Sequence, residues 1–307
     1  MSLFVPCDVV LGMTDPPFEG IVAALAALLK GKPLVYNVRD LYPDMAIGGS
    51  IVEQGLLTKV WEVLHRWALR QSTRIVVLGE DMRARIIAKG VKADRVTVVR
   101  DGAEICDAGA EPAVDMEVVR SIRGDFKFVL LHAGNMGFYG AWGTLVAAAR
   151  KLADEGIGLV FVGDGAQRGQ IEAAAAGCTN VHFLPFFAAS KISSVLAAPD
   201  AHVVTIKRGL EGVIVPSKMY GILVAGKPIV AVAPEATDVA KIGEERGFAV
   251  SADPDNATCV ADVIRQVSGN AETLRRMGEA ARAAAPDYDR TNELRKFVQI
   301  IEEARSA

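Results

Sequence analysis

The feature that most constrains the fold is an alternation between short, β-branched apolar runs and longer, alanine-rich amphipathic stretches. Continuous apolar runs separated by helices are typical of strands buried on both faces of a parallel sheet. The pattern predicts helices at residues 18–29, 56–71, 80–89, 140–153 and 166–176. It predicts strands at residues 8–11, 34–37, 75–78, 96–99, 128–131, 159–162, 181–183, 201–205, 229–232 and 248–250. The chain is therefore expected to form two Rossmann-like, doubly wound α/β units.

The boundary between the two units is predicted near Gly102, which follows a strand and precedes an acidic stretch that ends near Asp115. We expect residues 1–102 to form the first unit and residues 103–286 to form the second. Pro286 ends one helix, and a final helix within residues 287–307 is expected to pack back on the first unit. Four strands are fewer than two βαβαβ halves supply, so the N-terminal part of the first unit is expected to be missing.

Composition excludes several classes of protein. The 307 residues carry a net charge of −3, which leaves no basic field for a nucleic acid. The longest apolar run, residues 21–29, is far shorter than the roughly 20 residues that span a membrane. The first residues resemble no signal peptide. The cysteines are too dispersed for a disulfide framework or a zinc site: Cys7, Cys106, Cys178 and Cys259. A cytoplasmic protein is favoured.

Loops rich in glycine, polar and charged residues follow four strands of the second unit. They are residues 132–137 (HAGNMG), 163–165 (GDG), 185–187 (PFF) and 207–212 (KRGLEG). Because open α/β sheets bind ligands outside the carboxyl ends of their strands, the four loops together predict a ligand-binding crevice.

Lys218 is the sharpest single indication of what that crevice binds. Pro216 suits the first turn of a helix, which places Lys218 in the same turn. A cation there opposes the positive end of the helix dipole unless an anion is bound beside it. A diphosphate contact is therefore predicted, with a lysine that merely extends into water as the alternative. Lys207 and Arg208 could complete the cationic wall.

Glu211 lies in a loop between Leu210 and Gly212. A carboxylate can accept hydrogen bonds from two sugar hydroxyls, and glycine lets the backbone approach a ligand closely. A sugar contact is the functional interpretation of Glu211, and a solvated loop carboxylate is the alternative.

These residues resemble a known family. The run from Gly209 to Lys218, followed by Ala225-Gly226-Lys227-Pro228, resembles the donor-site signature of glycosyltransferase family 4, which consists of retaining GT-B enzymes. Residues 162–165 and 134–137 look like two further loops of the same nucleotide-sugar-binding domain. Residues 8–10 and 36–44 (YNVRDLYPD) are similar to the second half of the family's acceptor-side domain. The subgroup suggested builds surface polysaccharides.

The resemblance implies a role for each of these residues. Glu211 would hold the donor sugar, Lys218 and Arg208 would neutralise the leaving diphosphate, and Asp40 would serve the acceptor side of catalysis. Arg39 and Asp44 would line the acceptor side. The remaining donor contacts implied are Gly134, Asn135, Gly137, Gly163, Gly165, Pro185, Phe186, Lys207, Gly212 and Ser217.

The implied reaction is transfer of a sugar from a nucleoside-diphosphate sugar, with UDP favoured, to a hydroxyl of a glycan or lipid-linked acceptor, with retention. No cofactor, metal or nucleic acid is expected; Asp253-Pro254-Asp255 is interpreted as a turn. Peripheral contact with the inner face of the membrane is expected.

Three alternatives remain open. The first is a truncated nucleotide-sugar binder without activity. Two departures from the family pattern favour it: Met219 or Gly221 stands where the family often has an acidic residue that binds the ribose, and residues 135–141 carry no Lys or Arg. A nucleotide-sugar epimerase on the same fold is the second. A dinucleotide oxidoreductase is the third, although residues 163–169 miss the G-x-G-x-x-G spacing.

Overall fold

The computed structural model describes residues 5–105 and 114–306, and the chain divides into two compact units. Unit 1 contains Met1–Asp101, Leu210–Val215 and Arg290–Ala307, and unit 2 contains Gly102–Gly209 and Pro216–Asp289. Each unit has a parallel sheet covered by helices. The predicted class, two Rossmann-like α/β units, is confirmed.

Unit 1 is built on a four-stranded parallel sheet with the order β1-β2-β3-β4. Its elements are β1 (Val10–Gly12), α1 (Glu19–Lys30), β2 (Leu34–Val38), α2 (Asp44–Gly48), α3 (Leu56–Gln71), β3 (Arg74–Val77), α4 (Glu80–Ala88), β4 (Val96–Val98) and the C-terminal helix Arg290–Ser306. In the register, Val35 pairs with Arg74 and Ile75 pairs with Val96. One core cluster packs the C-terminal helix on this sheet: Val35, Val76, Val99, Ile300 and Ala304.

Helix α1 approaches the sheet closely because its inward face consists of small residues. The buried positions are Gly20, Ala23, Ala24, Ala26 and Ala27. A Cβ on Gly20 would lie 2.1 Å from the Tyr36 side chain, so glycine is required at that contact. The larger aliphatic residues of α1 are left on its outer face.

Unit 2 is built on a six-stranded parallel sheet with the order β7-β6-β5-β8-β9-β10. Its strands are β5 (Phe128–Ala133), β6 (Ile157–Val162), β7 (Val181–Leu184), β8 (Ala201–Thr205), β9 (Ile229–Val232) and β10 (Ala249–Ala252). Its helices are α5 (Met116–Arg123), α6 (Trp142–Lys151), α7 (Arg168–Ala174), α8 (Ile192–Ala197), α9 (Lys218–Val224), α10 (Asp238–Arg246), α11 (Ala257–Ser268) and α12 (Ala271–Ala284).

The strand order of unit 2 determines where a ligand can bind. Counted within the unit, the order is 3-2-1-4-5-6, so the winding direction reverses between β5 and β8. In an open α/β sheet such a reversal is where ligands bind, so a binding site is expected at the carboxyl ends of these two strands. Every residue of β6 is buried, as expected for a strand covered on both faces.

No helix in residues 5–105 or 114–306 is both long and apolar enough to cross a membrane. Cys7, Cys178 and Cys259 are free thiols, and Cys106 lies outside the described residues.

Candidate functional site

The loops after β5 and β6 interlock at the predicted rim of unit 2. The Gly134 amide donates to the carbonyl of Val162 at 2.8 Å. A Cβ on Gly163, whose φ is 136°, would lie 2.2 Å from the carbonyl oxygen of Gly134. A Cβ on Gly165 would lie 2.4 Å from Oδ1 of Asn135. Gly163 and Gly165 are therefore needed for the loops to touch, and they leave bare backbone at the rim.

Lys218, the first residue of α9, extends toward this glycine-rich rim. A Cβ on Gly134 would lie 3.7 Å from its Nζ. The Nζ lies 3.2 Å from Nε2 of His132 and 3.4 Å from the hydroxyl of Tyr139. In the described part of the chain, no carboxylate lies within 4.0 Å of this ammonium. Burial lowers the pKa of Lys218 from 10.5 to about 7.

His132 and Tyr139 form the neutral lining beside Lys218. His132 is fully buried at the end of β5, and its ring meets Trp142 edge-on at 4.7 Å. Burial, followed by the charge of Lys218, holds the pKa of His132 well below its usual value, so the ring is neutral. Burial raises the pKa of Tyr139 to about 12, and its hydroxyl donates to the carbonyl of Asn135. Among the described residues, Lys218 therefore has dipoles around it but no carboxylate within ion-pair distance.

Other predicted donor contacts are distributed around the same crevice. The Phe186 ring is exposed and lies 3.2 Å from where a Cβ on Gly163 would be. The Lys207 amide donates to the carbonyl of Tyr139 at 2.7 Å, and burial lowers the pKa of Lys207. Gly137 accepts a bond from the Trp142 indole at 2.7 Å. Pro185 and Ser217 are exposed.

Arg208 is paired with two carboxylates, those of Asp253 and Asp255. Its guanidinium lies 2.7 Å from Asp253 and 2.5 Å from Asp255. Residues 253–255 form the turn before α11, whose first amides are capped by Asn256. Within residues 5–105 and 114–306, no group of three His, Cys, Asp or Glu could hold a metal ion. Any contact of Arg208 with a diphosphate would require the two carboxylates to release it.

Unit 1 holds the segment that carries Glu211. The Leu41 amide donates to the carbonyl of Val213 at 2.9 Å. A Cβ on Gly212, whose φ is 64°, would lie 2.4 Å from the carbonyl oxygen of Asp81. Arg85 donates to the Glu211 carbonyl at 2.8 Å. Two hydrogen bonds and one close backbone contact thus hold this segment.

Arg39 and Asp40 follow β2 in unit 1. The backbone amides of both residues donate to the buried hydroxyl oxygen of Thr14, at 3.0 and 3.2 Å. The Arg39 guanidinium binds both carboxylate oxygens of Asp101, at 2.8 and 2.9 Å. Burial raises the pKa of Asp40, and Asp15 and Asp101 add to the rise against the lowering effect of Arg39. Among the acceptor-side residues predicted from the sequence, Asp40 is therefore the one whose pKa is raised.

Asp44 belongs to a partly buried ion-pair network. It accepts from Lys89 at 2.7 Å and from Arg85 at 3.1 and 3.0 Å. Lys89, which is buried, also contacts Glu62 at 2.8 Å. Burial by itself would raise the pKa of Asp44, but the bonds from Lys89 and Arg85 lower it. Asp44 is a negatively charged partner for two cations.

Sequence reasoning did not single out His132, Tyr139 and Arg85. His132 and Tyr139 lie in segments that had been noted, but a strand-end histidine and a loop tyrosine are ordinary in isolation. Arg85 lies in the middle of α4, 126 positions from Glu211, where no local pattern indicates a partner.

Two family models match the chain. The Glycosyl transferase 4-like domain matches residues 6–102. The Glycosyl transferases group 1 model matches residues 122–284, which is more than half of the 307 residues. The chain belongs to the glycosyl transferases group 1 family. It is a glycosyltransferase, as the sequence predicted.

Curated relatives of this group 1 glycosyltransferase carry similar names. It is 27% identical over 303 residues to the putative colanic acid biosynthesis glycosyl transferase WcaI of Escherichia coli K12, covering 96% of this chain and 74% of WcaI. It is 24% identical over 263 residues to the probable glycosyltransferase WbjE of Pseudomonas aeruginosa, covering 85% of this chain and 66% of WbjE.

Solved structures share the fold. The Anabaena protein Alr3699/HepE, crystallised with UDP-glucose, superposes with a TM-score of 0.71 at 18% identity. The match covers 94% of this chain and 76% of that protein. At this identity the likeness shows the fold alone, and it confirms the predicted GT-B class.

Proposed function

We propose that this glycosyltransferase moves a sugar from a UDP-sugar to a hydroxyl of a glycan or lipid-linked acceptor, with retention, in surface polysaccharide synthesis. The observation that carries the proposal is the Lys218 ammonium, which is desolvated and lacks a carboxylate partner among the described residues.

An unpaired, desolvated ammonium is costly unless a ligand supplies the opposite charge. Burial lowers the pKa of Lys218 to about 7, so its charge is only partly retained at neutral pH. A diphosphate within contact distance would restore its charge and form charge-assisted hydrogen bonds. Lys218 is therefore suited to an anionic ligand.

The surroundings of Lys218 suit a nucleotide. The glycine backbone at Gly134 and Gly163 permits close approach of phosphate oxygens, which a Cβ would block. The exposed Phe186 ring beside Gly163 offers a face on which a base could stack. The choice of uridine is supported by the UDP and UDP-glucose bound to the Anabaena protein.

The choice of acceptor and pathway is supported by the relatives. WcaI is named for colanic acid biosynthesis. The same comparison supports a surface glycan as the product here. A cytoplasmic location is part of the proposal.

The proposed reaction needs no covalent enzyme intermediate. The bond from the anomeric carbon to the β-phosphate oxygen breaks, and a bond to the acceptor oxygen forms on the same face of the sugar. The acceptor proton passes to the departing diphosphate. Lys218 would stabilise the charge that develops on UDP, which is the largest contribution expected of the protein. Glu211 would hold the sugar hydroxyls, and Asp40 would orient the acceptor.

The test is calorimetric titration of UDP, GDP and ADP, combined with UDP release from a panel of UDP-sugars. We expect saturable UDP binding that Lys218→Gln weakens by about tenfold or more, the loss of one charge-assisted contact. Lys241→Gln is the control, because Lys241 is an exposed lysine of α10 in the same unit.

Two outcomes would contradict the proposal. If none of the three nucleotides binds, the Lys218 crevice is no nucleotide site. If UDP binds but no UDP-sugar releases its sugar to any glycan or lipid-linked acceptor, the chain is a nucleotide-sugar binder without transfer activity.

A further inference from the structure

We propose that unit 1 binds the acceptor through a neutral sugar ring, which stacks on an aromatic platform formed by Phe18, Tyr42 and Trp61. The carboxylates of Asp15 and Asp40 accept hydrogen bonds from the hydroxyls at the edge of that ring. This inference rests on the proposed function, and it names the part of the acceptor that unit 1 would hold.

The loops that carry the platform leave neighbouring strands of unit 1. Residues 13–18 follow β1 and residues 39–43 follow β2, and the two strands pair in parallel. Both loops therefore lie at the carboxyl edge of the sheet, where open α/β sheets bind ligands. The hydroxyl oxygen of Thr14 in the first loop accepts from the amides of Arg39 and Asp40 in the second, at 3.0 and 3.2 Å. These hydrogen bonds join the two loops.

Three aromatic rings meet beside these loops. Trp61 of α3 stacks on Phe18 with ring centroids 4.4 Å apart, and on Tyr42 with ring centroids 5.6 Å apart. Phe18 is 54% exposed, whereas Tyr42 and Trp61 are half-buried. A pyranose ring has an apolar face of axial C–H groups, which packs on the negative face of an aromatic ring. Because Phe18 is already held by stacking on Trp61, its ring loses little freedom when a sugar binds.

Two carboxylates and one phenol lie beside the rings without partners. Among the described residues, no Lys, Arg or His lies within 4.0 Å of the carboxylates of Asp15 and Asp40. Neither these carboxylates nor the Tyr42 hydroxyl forms a hydrogen bond with a described residue. Burial raises the pKa of Tyr42, and the charges of Asp40 and Asp15 add to the rise, so both carboxylates lie near its hydroxyl. Sugar hydroxyls supply the donors that such carboxylates lack.

The charges at this edge favour a neutral sugar over the phosphate of a lipid-linked acceptor. Arg39 precedes Asp40, but its guanidinium binds both carboxylate oxygens of Asp101, at 2.8 and 2.9 Å. The charges of Asp15 and Asp40 are therefore left to repel a phosphate.

A hydrocarbon chain fits the platform less well than a sugar. It could lie on the rings, but it would leave the half-buried carboxylate of Asp40 without a hydrogen-bond donor, which is costly. A sugar ring offers an apolar face and hydroxyl donors together. In a lipid-linked acceptor, the lipid and its phosphate would then lie away from the platform.

The experiment is saturation-transfer NMR of the full chain with the methyl glycosides of glucose, galactose, mannose and N-acetylglucosamine. On irradiation of the aromatic protons of the protein, we expect transfer to the C–H protons on one face of a sugar ring. Phe18→Leu keeps an apolar side chain but removes the ring, and should weaken glycoside binding by about threefold to tenfold. Asp15→Asn should weaken binding by a similar factor, because an amide oxygen is a weaker acceptor than a carboxylate.

The matched control is Leu294→Ala on the C-terminal helix, where Leu294 is 56% exposed. That helix packs against Val35, whereas α1 lies against Tyr36, and successive residues of a strand point to opposite faces of the sheet. Leu294→Ala should therefore bind the glycosides like wild type. Circular dichroism verifies that each variant is folded.

The platform and the proposed function can fail separately. If wild type binds UDP but no glycoside shows transfer from aromatic protons, the platform is overturned and the donor site stands. Phe18→Leu that binds glycosides like wild type, or that loses no more than Leu294→Ala, would also overturn the platform. If the glycosides bind as expected but UDP does not, the platform stands as a carbohydrate site and the proposed function fails.

Discussion

Arg85 and Glu211 are joined by a hydrogen bond from the guanidinium to the backbone carbonyl, at 2.8 Å. The same guanidinium donates twice to Asp44, at 3.1 and 3.0 Å, so its charge is balanced while it holds the segment. Because Arg85 donates to the backbone carbonyl, the Glu211 carboxylate takes no part in this hydrogen bond. Arg85 is thus placed to fix the backbone from which Glu211 would reach a sugar.

We predict that Arg85→Met lowers the free energy of unfolding by about 1–3 kcal/mol, because the Glu211 carbonyl and Asp44 each lose a charged donor. If Glu211 holds the donor sugar as proposed, release of sugar from a UDP-sugar should fall, since a displaced backbone would misplace its carboxylate. Urea unfolding and a UDP-release assay measure the two effects. Lys92→Met is the control, because Lys92 is an exposed lysine of the same unit. A variant as active as wild type would remove Arg85 from any positioning role.

Local periodicity was sufficient to predict most of the fold. Helix α3 and strands β8 and β9 lie at the predicted residues 56–71, 201–205 and 229–232. Helix α5 was missed because its short run follows an irregular acidic stretch, and only the Asp115 cap marks its start. The terminal strand residues of β5 and β6 were also missed, since Gly158 and His132 interrupt the apolar run.

The candidate site was less predictable, because its energetics depend on long-range pairs. The strand order 3-2-1-4-5-6 brings the loops after β5 and β6 together, and the glycines in those loops could be found from sequence. The ion pair between Asp44 and Lys89 joins residues 45 positions apart, and that between Arg208 and Asp255 joins residues 47 apart. Sequence periodicity gives no sign of pairs so far apart in the chain. The ion pairs of Asp44 and Arg208 therefore could not be predicted from the sequence.

Asp40 and Asp44 should respond oppositely to replacement by asparagine. Asp40 holds its proton more tightly in the folded chain, so its charge opposes folding once the pH exceeds its usual range. Asp44 has a lowered pKa, so its charge stabilises the fold at neutral pH and this contribution is lost as the pH falls through its folded pKa. In urea at neutral pH, Asp44→Asn should destabilise by about 1–3 kcal/mol, whereas Asp40→Asn should not destabilise. Equal losses would contradict the opposite directions of the two pKa shifts.

Gly163→Ala should destabilise unit 2 by at least about 2 kcal/mol, because φ is 136° and the new Cβ would lie 2.2 Å from the Gly134 carbonyl. UDP affinity should fall with it. The matched control is Gly169→Ala in α7, where a Cβ meets nothing within 4 Å and helix propensity predicts a gain of about 0.5–1 kcal/mol. Thermal unfolding distinguishes the two variants. If Gly163→Ala were as stable as wild type, the close contact between the loops after β5 and β6 would be refuted.

Lys218→Met should stabilise the chain in the absence of ligand. The folded pKa of Lys218 is about 7, against 10.5 in the reference state, so the unfolded chain binds more protons between these two values. Stability of wild type therefore rises with pH across this window, by about 1 kcal/mol per pH unit. The free energy of unfolding of Lys218→Met lacks this pH dependence. It should exceed that of wild type by the largest amount at and below pH 7. Urea unfolding of both proteins over this range measures the difference, and parallel pH profiles would contradict the lowered pKa.

UDP binding should take up a proton at Lys218. Above pH 7 the free protein carries a neutral Lys218, and a bound diphosphate favours its charged form, so affinity should fall by up to about tenfold per pH unit. Lys218→Met should bind weakly at every pH. Lys218→Arg keeps its charge throughout and should show a flat profile if the guanidinium fits the space. Calorimetry in buffers of different ionisation enthalpy counts the protons taken up by wild type. An affinity independent of pH, without proton uptake, would mean that the diphosphate does not lie against Lys218.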